Sequence, residues 1–116
     1  MTTQGKVWGL TQAIFQKSNF EIHRIEIEKG GFCSTHKHNN KFNAFFMESG
    51  TLKILIEQQD YELVDETILN KGELSIVKPG LFHSFEALTD CICYEIYWTE
   101  LNHDDIERRT VGGTGG

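Results

Sequence analysis

Hydrophobic residues along this chain recur mostly at every second position, in runs too short for helices. Residues 20–28 alternate apolar and polar side chains, the period of a strand with one covered face. Ile25 and Ile27 are in phase with each other but out of phase with Phe20 and Ile22, so a bulge or a change of face is expected near His23. Upstream, residues 6–16 carry β-formers around Gly9. Downstream, a Lys29-Gly30-Gly31 turn opens an extended stretch that leads into residues 43–48. There Asn43, Phe45 and Met47 make one face and Ala44, Phe46 and Glu48 the other. After a turn at Ser49-Gly50, Leu52, Ile54 and Ile56 share a side. A short strand-like piece at 61–64, a turn at Asn70-Lys71-Gly72, and short strands at 73–78 and 83–87 follow, the last two separated by Pro79-Gly80. Residues 91–99 are almost continuously apolar and aromatic, as in a strand buried on both faces. Strand-sized runs punctuated by turn residues, with no helical stripe, predict an all-β sandwich or barrel.

Length and charge narrow the picture. At 116 residues the chain makes a single domain; residues 1–110 are assigned to it and residues 111–116 to a flexible glycine-rich tail. A net charge of -6 and the lack of a basic stripe argue against a nucleic-acid partner. The first residues do not read as a signal peptide, and no apolar run reaches membrane-spanning length. A cytoplasmic protein without a membrane partner is expected. Cys33, Cys91 and Cys93 are too few and too unevenly spaced for a disulfide framework, and Cys91 and Cys93 read as small buried thiols. In the tail, Asp104-Asp105 and Arg108-Arg109 can pair charges along a helical turn. Phe46, Tyr94 and Trp98 offer more apolar surface than one small barrel hides, and a homodimer through an outer sheet is expected.

The candidate chemistry lies between Gly30 and Gly50. His36 and His38 are separated by one residue, so on an extended chain both imidazoles face the same way, close enough to share a metal ion. Asn43 follows, and a third histidine, His83, stands beyond the Pro79-Gly80 turn. His23 has no partner at ligand spacing and reads as a packed or surface histidine.

These spacings resemble the two motifs of the cupin family: Gly30, His36, His38, Asn43 and Gly50 for the first, with asparagine where the family has glutamate, and Pro79-Gly80-x-x-His83 for the second. The resemblance implies a small double-stranded β-helix, the cupin jelly-roll barrel. It also implies a divalent transition metal (zinc, iron, nickel or manganese) on His36, His38 and His83. Asn43 either joins the shell as a neutral oxygen ligand or bonds backbone instead; in both cases the shell lacks a carboxylate.

A narrower resemblance covers about residues 6–110. Val7-Trp8-Gly9, Ser34 to His38, Ser49-Gly50-Thr51, Pro79-Gly80-x-x-His83, Glu95-Ile96 and Asp104-Asp105-Ile106-Glu107-Arg108 look like the cupin-type mannose-6-phosphate isomerase domain. This implies aldose–ketose isomerisation of a small-molecule substrate, a phosphorylated sugar. Glu95 is the carboxylate that would move the proton; the alternative is a structural ion pair with Arg24 or Arg108. Lys37, Asn39, Asn40 and Lys41 can receive a phosphate or sugar hydroxyls, or simply form a solvated loop. The chain departs from that family at Asn43 and at Ser84, where arginine is common. Two other readings share the ligand set: a three-histidine iron dioxygenase, resembling the thiol dioxygenases, and a non-catalytic module that binds a sugar or small anion.

Overall fold

The computed structural model describes residues 2–58 and 63–99, and within the C-terminal segment residues 104, 105, 107, 109, 110, 112 and 114. Nine strands are found among them: β1 (Thr2–Lys6), β2 (Gly9–Lys17), β3 (Phe20–Ile27), β4 (Phe42–Ser49), β5 (Leu52–Glu57), β6 (Val64–Leu69), β7 (Leu74–Val77), β8 (His83–Ala87) and β9 (Cys91–Trp98). They form a six-stranded sheet, β1-β2-β3-β9-β4-β7, and a three-stranded sheet, β6-β5-β8. Every pairing is antiparallel. The all-β jelly roll expected from the sequence is the fold observed. Among the described residues no helix is long and apolar enough to cross a membrane.

Alternation sets what lies between the sheets. Ile25 and Ile27 of β3, Phe45 and Met47 of β4, Leu52 and Ile54 of β5, and Cys91 and Cys93 of β9 meet in one core with Phe85 and Leu69. Each aliphatic or aromatic side chain among them contributes about 1.5–3 kcal/mol by leaving water. Cys91 and Cys93 are free, buried thiols, as read from the sequence. Gly50 closes the β4–β5 turn at φ 84°, a conformation glycine adopts without a Cβ clash.

The structure refines several of these expectations. The phase slip in residues 20–28 is not a bulge in β3, which pairs with β9 in unbroken register from Phe20 to Ile27. The bulge lies in the neighbouring strand, between Ala13 and Phe15 of β2, opposite His23. Phe20 and Ile22 simply face outward. The stretch carrying His36 and His38 is extended but irregular, joined to β8 by single bridges at Phe32–Glu86 and His36–His83. Residues 91–99 are covered on the inner face alone, since Ile92, Tyr94, Ile96 and Trp98 remain partly exposed. Finally, β1 and most of β6 were not legible as strands. Both are polar edge strands; the piece expected at 61–64 lies half outside the described residues, and β6 starts at its last position. Of the charges expected to pair in the tail, Arg108 also lies outside them.

Candidate metal centre

Two backbone hydrogen bonds hold the first and third histidines side by side: His36 N–H donates to the His83 carbonyl at 3.0 Å, and His83 N–H returns one to His36 at 2.8 Å. The Pro79-Gly80 turn fixes the second, because Gly80 N–H donates to the His38 carbonyl at 2.7 Å. The spacing read from the sequence thus becomes one cluster. The rings of His36, His38 and His83 have centroids 4.6–5.4 Å apart, and one nitrogen from each lies within 4.8 Å of the others. His83 is buried, and the other two are half-buried.

The tautomers follow from second partners. His36 Nδ1 donates to the Ser34 carbonyl at 2.8 Å and His83 Nδ1 to the Leu81 carbonyl at 3.0 Å. Each ring therefore turns a lone pair on Nε2 inward, as metal-binding imidazoles do. His38 Nε2 is buried without any hydrogen-bond partner. Burial, then Lys41 and the two neighbouring rings, hold the His38 pKa down to about 4, and burial lowers that of His83 as well. His38 and His83 are thus held toward the neutral imidazole form, the state a metal requires.

Asn43 is fully buried on β4, and its Oδ1 stands 3.1 Å from His83 Nε2. With His83 Nδ1 protonated, these two atoms face each other as acceptors. Turning the amide round would set its oxygen against the Ala44 and Ile96 carbonyls, which now lie 3.5 and 3.4 Å from Nδ2. A cation between the two acceptors satisfies both. The partnerless His38 Nε2 and the three clustered rings mean that the residues present fit a metal ion.

Beside the cluster is a polar cavity of about 300 Å³ lined by Gln4, Thr11, His23, His36, Glu95 and Tyr97, among others. Alternation explains its lining: the inner faces of β3 and β9 change from Ile25 and Cys93 to His23 and Glu95 at this end. Burial raises the Glu95 pKa, opposed by Tyr97, His23, His36 and Asn43. Burial, followed by Glu95, raises that of Tyr97 too. Arg24 is not the partner of Glu95; it lies on the opposite side of β3, bonded to Glu26 at 2.8 Å. Arg108 lies outside the described residues. Cys33 also lines the cavity, its thiol pushed up to about 11 by burial. A larger open groove of about 630 Å³ beside Val7 and Phe32 shares Lys6, Trp8, Cys33 and Ser34 with it.

The polar loop divides. Lys41 Nζ sits 4.2 Å from the centre of the Tyr97 ring, whereas Lys37 turns over Phe82 at 5.0 Å. Asn39 and Asn40 are exposed. Ser84 alternates with His83 along β8 and pairs with Leu55, away from the cluster. Sequence reasoning passed over His23 and Tyr97. His23 bonds Glu21 at 3.0 Å and packs edge-on to Tyr97 at 5.8 Å. The available signal was its phase with Ile25 and Ile27, which puts it on the inner face.

No protein-family model and no curated protein matches the chain. Solved structures do match it. KdgF from a Halomonas species superposes with a TM-score of 0.73 at 12% identity, over 87% of this chain and 90% of that one. The cupin domain of Schizosaccharomyces pombe Cnp3 gives 0.72 at 14%, over 86% and 69%. The capsular polysaccharide assembling protein CapF from Staphylococcus aureus gives 0.72 at 17%, over 90% of this chain but 32% of its own. At such identities the likeness is one of fold. The chain has the cupin fold, with three imidazoles gathered at the polar end of its jelly roll.

Proposed function

We propose that the protein is a metal-dependent enzyme of the aldose–ketose isomerase kind, acting on a phosphorylated sugar such as mannose 6-phosphate. His36, His38 and His83, with Asn43, would hold a divalent transition ion. The observation that carries this reading is the set of inward lone pairs, one of them buried without a partner, placed beside a carboxylate whose burial favours holding a proton. An ion bound there would polarise a substrate carbonyl oxygen, easing removal of the proton from the adjacent carbon. Glu95 takes that proton from one carbon and delivers it to the neighbouring one, while a second proton passes between the two oxygens. Tyr97 and His23 hold the carboxylate in position, and Glu21 orients His23 through its ring nitrogen. Lys41, over the Tyr97 ring, would receive an anionic group of the substrate. The fold likeness to a capsular polysaccharide assembling protein is in keeping with carbohydrate chemistry.

Metal analysis of protein purified without added metal, combined with a hexose-phosphate interconversion assay, tests the proposal. Zinc, nickel or manganese with turnover supports it. Glu95→Gln should then abolish turnover and leave metal content unchanged; retained turnover refutes the role of Glu95. Iron accompanied by oxygen uptake would point to the dioxygenase reading. Sugar binding by a metal-free protein without turnover would point to a binding module.

A further inference from the structure

The cavity beside His36 does not end at its own lining. It shares Lys6, Trp8, Cys33 and Ser34 with the open groove beside Val7 and Phe32, so the two form one trough. At about 300 Å³ the cavity is at the small end of the range for ligand sites, a size that suits one sugar phosphate. The groove adds about 630 Å³ that such a molecule leaves unfilled.

Backbone hydrogen bonds fix the walls of this groove. Glu28 N–H donates to the Trp8 carbonyl at 2.9 Å, and Gly31 N–H to the Glu28 carbonyl at 2.7 Å. Gly30 N–H donates to the Ala87 carbonyl, and Ala87 N–H returns a bond to Gly31, both at 2.8 Å. Trp8 rests edge-on against Phe85, with ring centroids 5.2 Å apart, and stays half-exposed. The backbone of Phe32 bridges to Glu86 while the residue is 70% exposed. A single exposed ring is ordinary on a protein surface. This one stands on a pinned backbone, in a groove whose second aromatic also lines the cavity beside the imidazoles.

We propose that the groove is a glycosyl subsite: the ligand is an oligosaccharide whose reducing-end unit enters the cavity and whose following units lie along Trp8 and Phe32. The inference rests on reading the cavity as a sugar site. A pyranose ring carries an apolar face of C–H groups and a rim of hydroxyls. Trp8 and Phe32 match the face, since an aromatic ring offers a large apolar surface in a fixed geometry. Lys6, Glu28 and Lys29, all exposed on the groove, match the rim. Lysine ammonium groups only donate and a carboxylate only accepts, whereas a hydroxyl does both. Walls with charges of both signs therefore suit a neutral, hydroxyl-rich chain better than a second phosphate. Because the walls are fixed beforehand, little conformational freedom is lost when the chain settles.

Isothermal titration calorimetry on the full-length protein tests the assignment, with manno-, cello-, malto- and N-acetylchito-trisaccharides set against their monosaccharides. At least one trisaccharide should bind about tenfold or more tightly than its monosaccharide, as two ring contacts allow. The same trisaccharide should shift the emission of Trp8, read in Trp98→Phe, which leaves it the sole tryptophan. Phe32→Ala, at an exposed position, should lower the trisaccharide-to-monosaccharide affinity ratio about fivefold with an unchanged melting temperature, and Phe32→Tyr should restore it. No preference for any of these trisaccharides overturns the proposal, as does a preference indifferent to Phe32→Ala. Trp8 emission that changes with protein concentration alone would put a second copy in the groove and overturn it too. Hexose-phosphate turnover reports on the cavity alone. An isomerase without trisaccharide preference refutes the subsite and keeps the activity, and Phe32-dependent trisaccharide binding without turnover does the reverse.

Discussion

Acid should destabilise the metal-free protein through His38 in particular. Its ordinary pKa of 6.5 is held down to about 4 in the fold, first by burial and then by Lys41, His36 and His83. Between these values the unfolded chain binds the proton and the folded chain does not, so stability is intact above about pH 6.5 and falls as the pH drops. Near pH 5 the linkage amounts to roughly 2 kcal/mol for this one group. The ring is only partly buried although Nε2 is not accessible, so water screens part of the effect and about 1 kcal/mol is expected. Urea unfolding with a chelator present, near pH 7.5 and near pH 5, reads the quantity directly. His38→Asn removes the titrating ring while the carboxylates stay, and their contribution cancels between the two proteins. Wild type should lose about 1 kcal/mol more than the variant over this interval. Equal losses would refute the reasoning, because a proton accepted freely at His38 means a ring open to water.

His38→Ala should abolish metal binding, measured by elemental analysis after dialysis; full occupancy in that variant would sink the site. Asn43→Glu should raise metal affinity in a competition titration, and an unchanged affinity would place residue 43 outside the shell. Phe45→Ala removes a fully buried ring that packs edge-on to Phe85, and should cost about 3–5 kcal/mol in urea unfolding; a cost below about 1 kcal/mol would mean that the core closes over the gap. Gly50→Ala would drive a Cβ into the Asp90 carbonyl from a φ of 84° and should cost at least about 2 kcal/mol, a value that a neutral substitution would contradict.

What the sequence disclosed was whatever residue type and spacing alone determine. His36 and His38 two apart, and His83 after a Pro79-Gly80 turn, are legible because ligand chemistry admits few residue types and strand geometry fixes the spacing. Gly50 and Gly80 are legible because φ near 85° favours glycine. The inner faces of β3 and β4 follow from a period of two. Cross-strand neighbours do not follow from any of this. His23 and Glu95 are register partners on β3 and β9, yet 71 intervening residues and a bulge on a third strand separate that fact from the sequence. Nor does polar composition mark β1 or β6, whose hydrogen bonds run to one neighbour only.

The position of Asn43 acquires its meaning from the same register. A carboxylate there would adjoin Glu95, which already touches the Asn43 amide, and two carboxylates at that distance would resist ionising together. With asparagine at 43, the negative charge stands one step away from the imidazoles, on β9, rather than among them. On the proposed mechanism Glu95 would then be free to exchange a proton with a bound molecule. On that mechanism the neutral donor set and the half-buried Glu95 carboxylate would form one arrangement. It would give up some hold on the ion for a base beside the cavity, so Asn43→Glu should bind metal more tightly and turn over substrate more slowly.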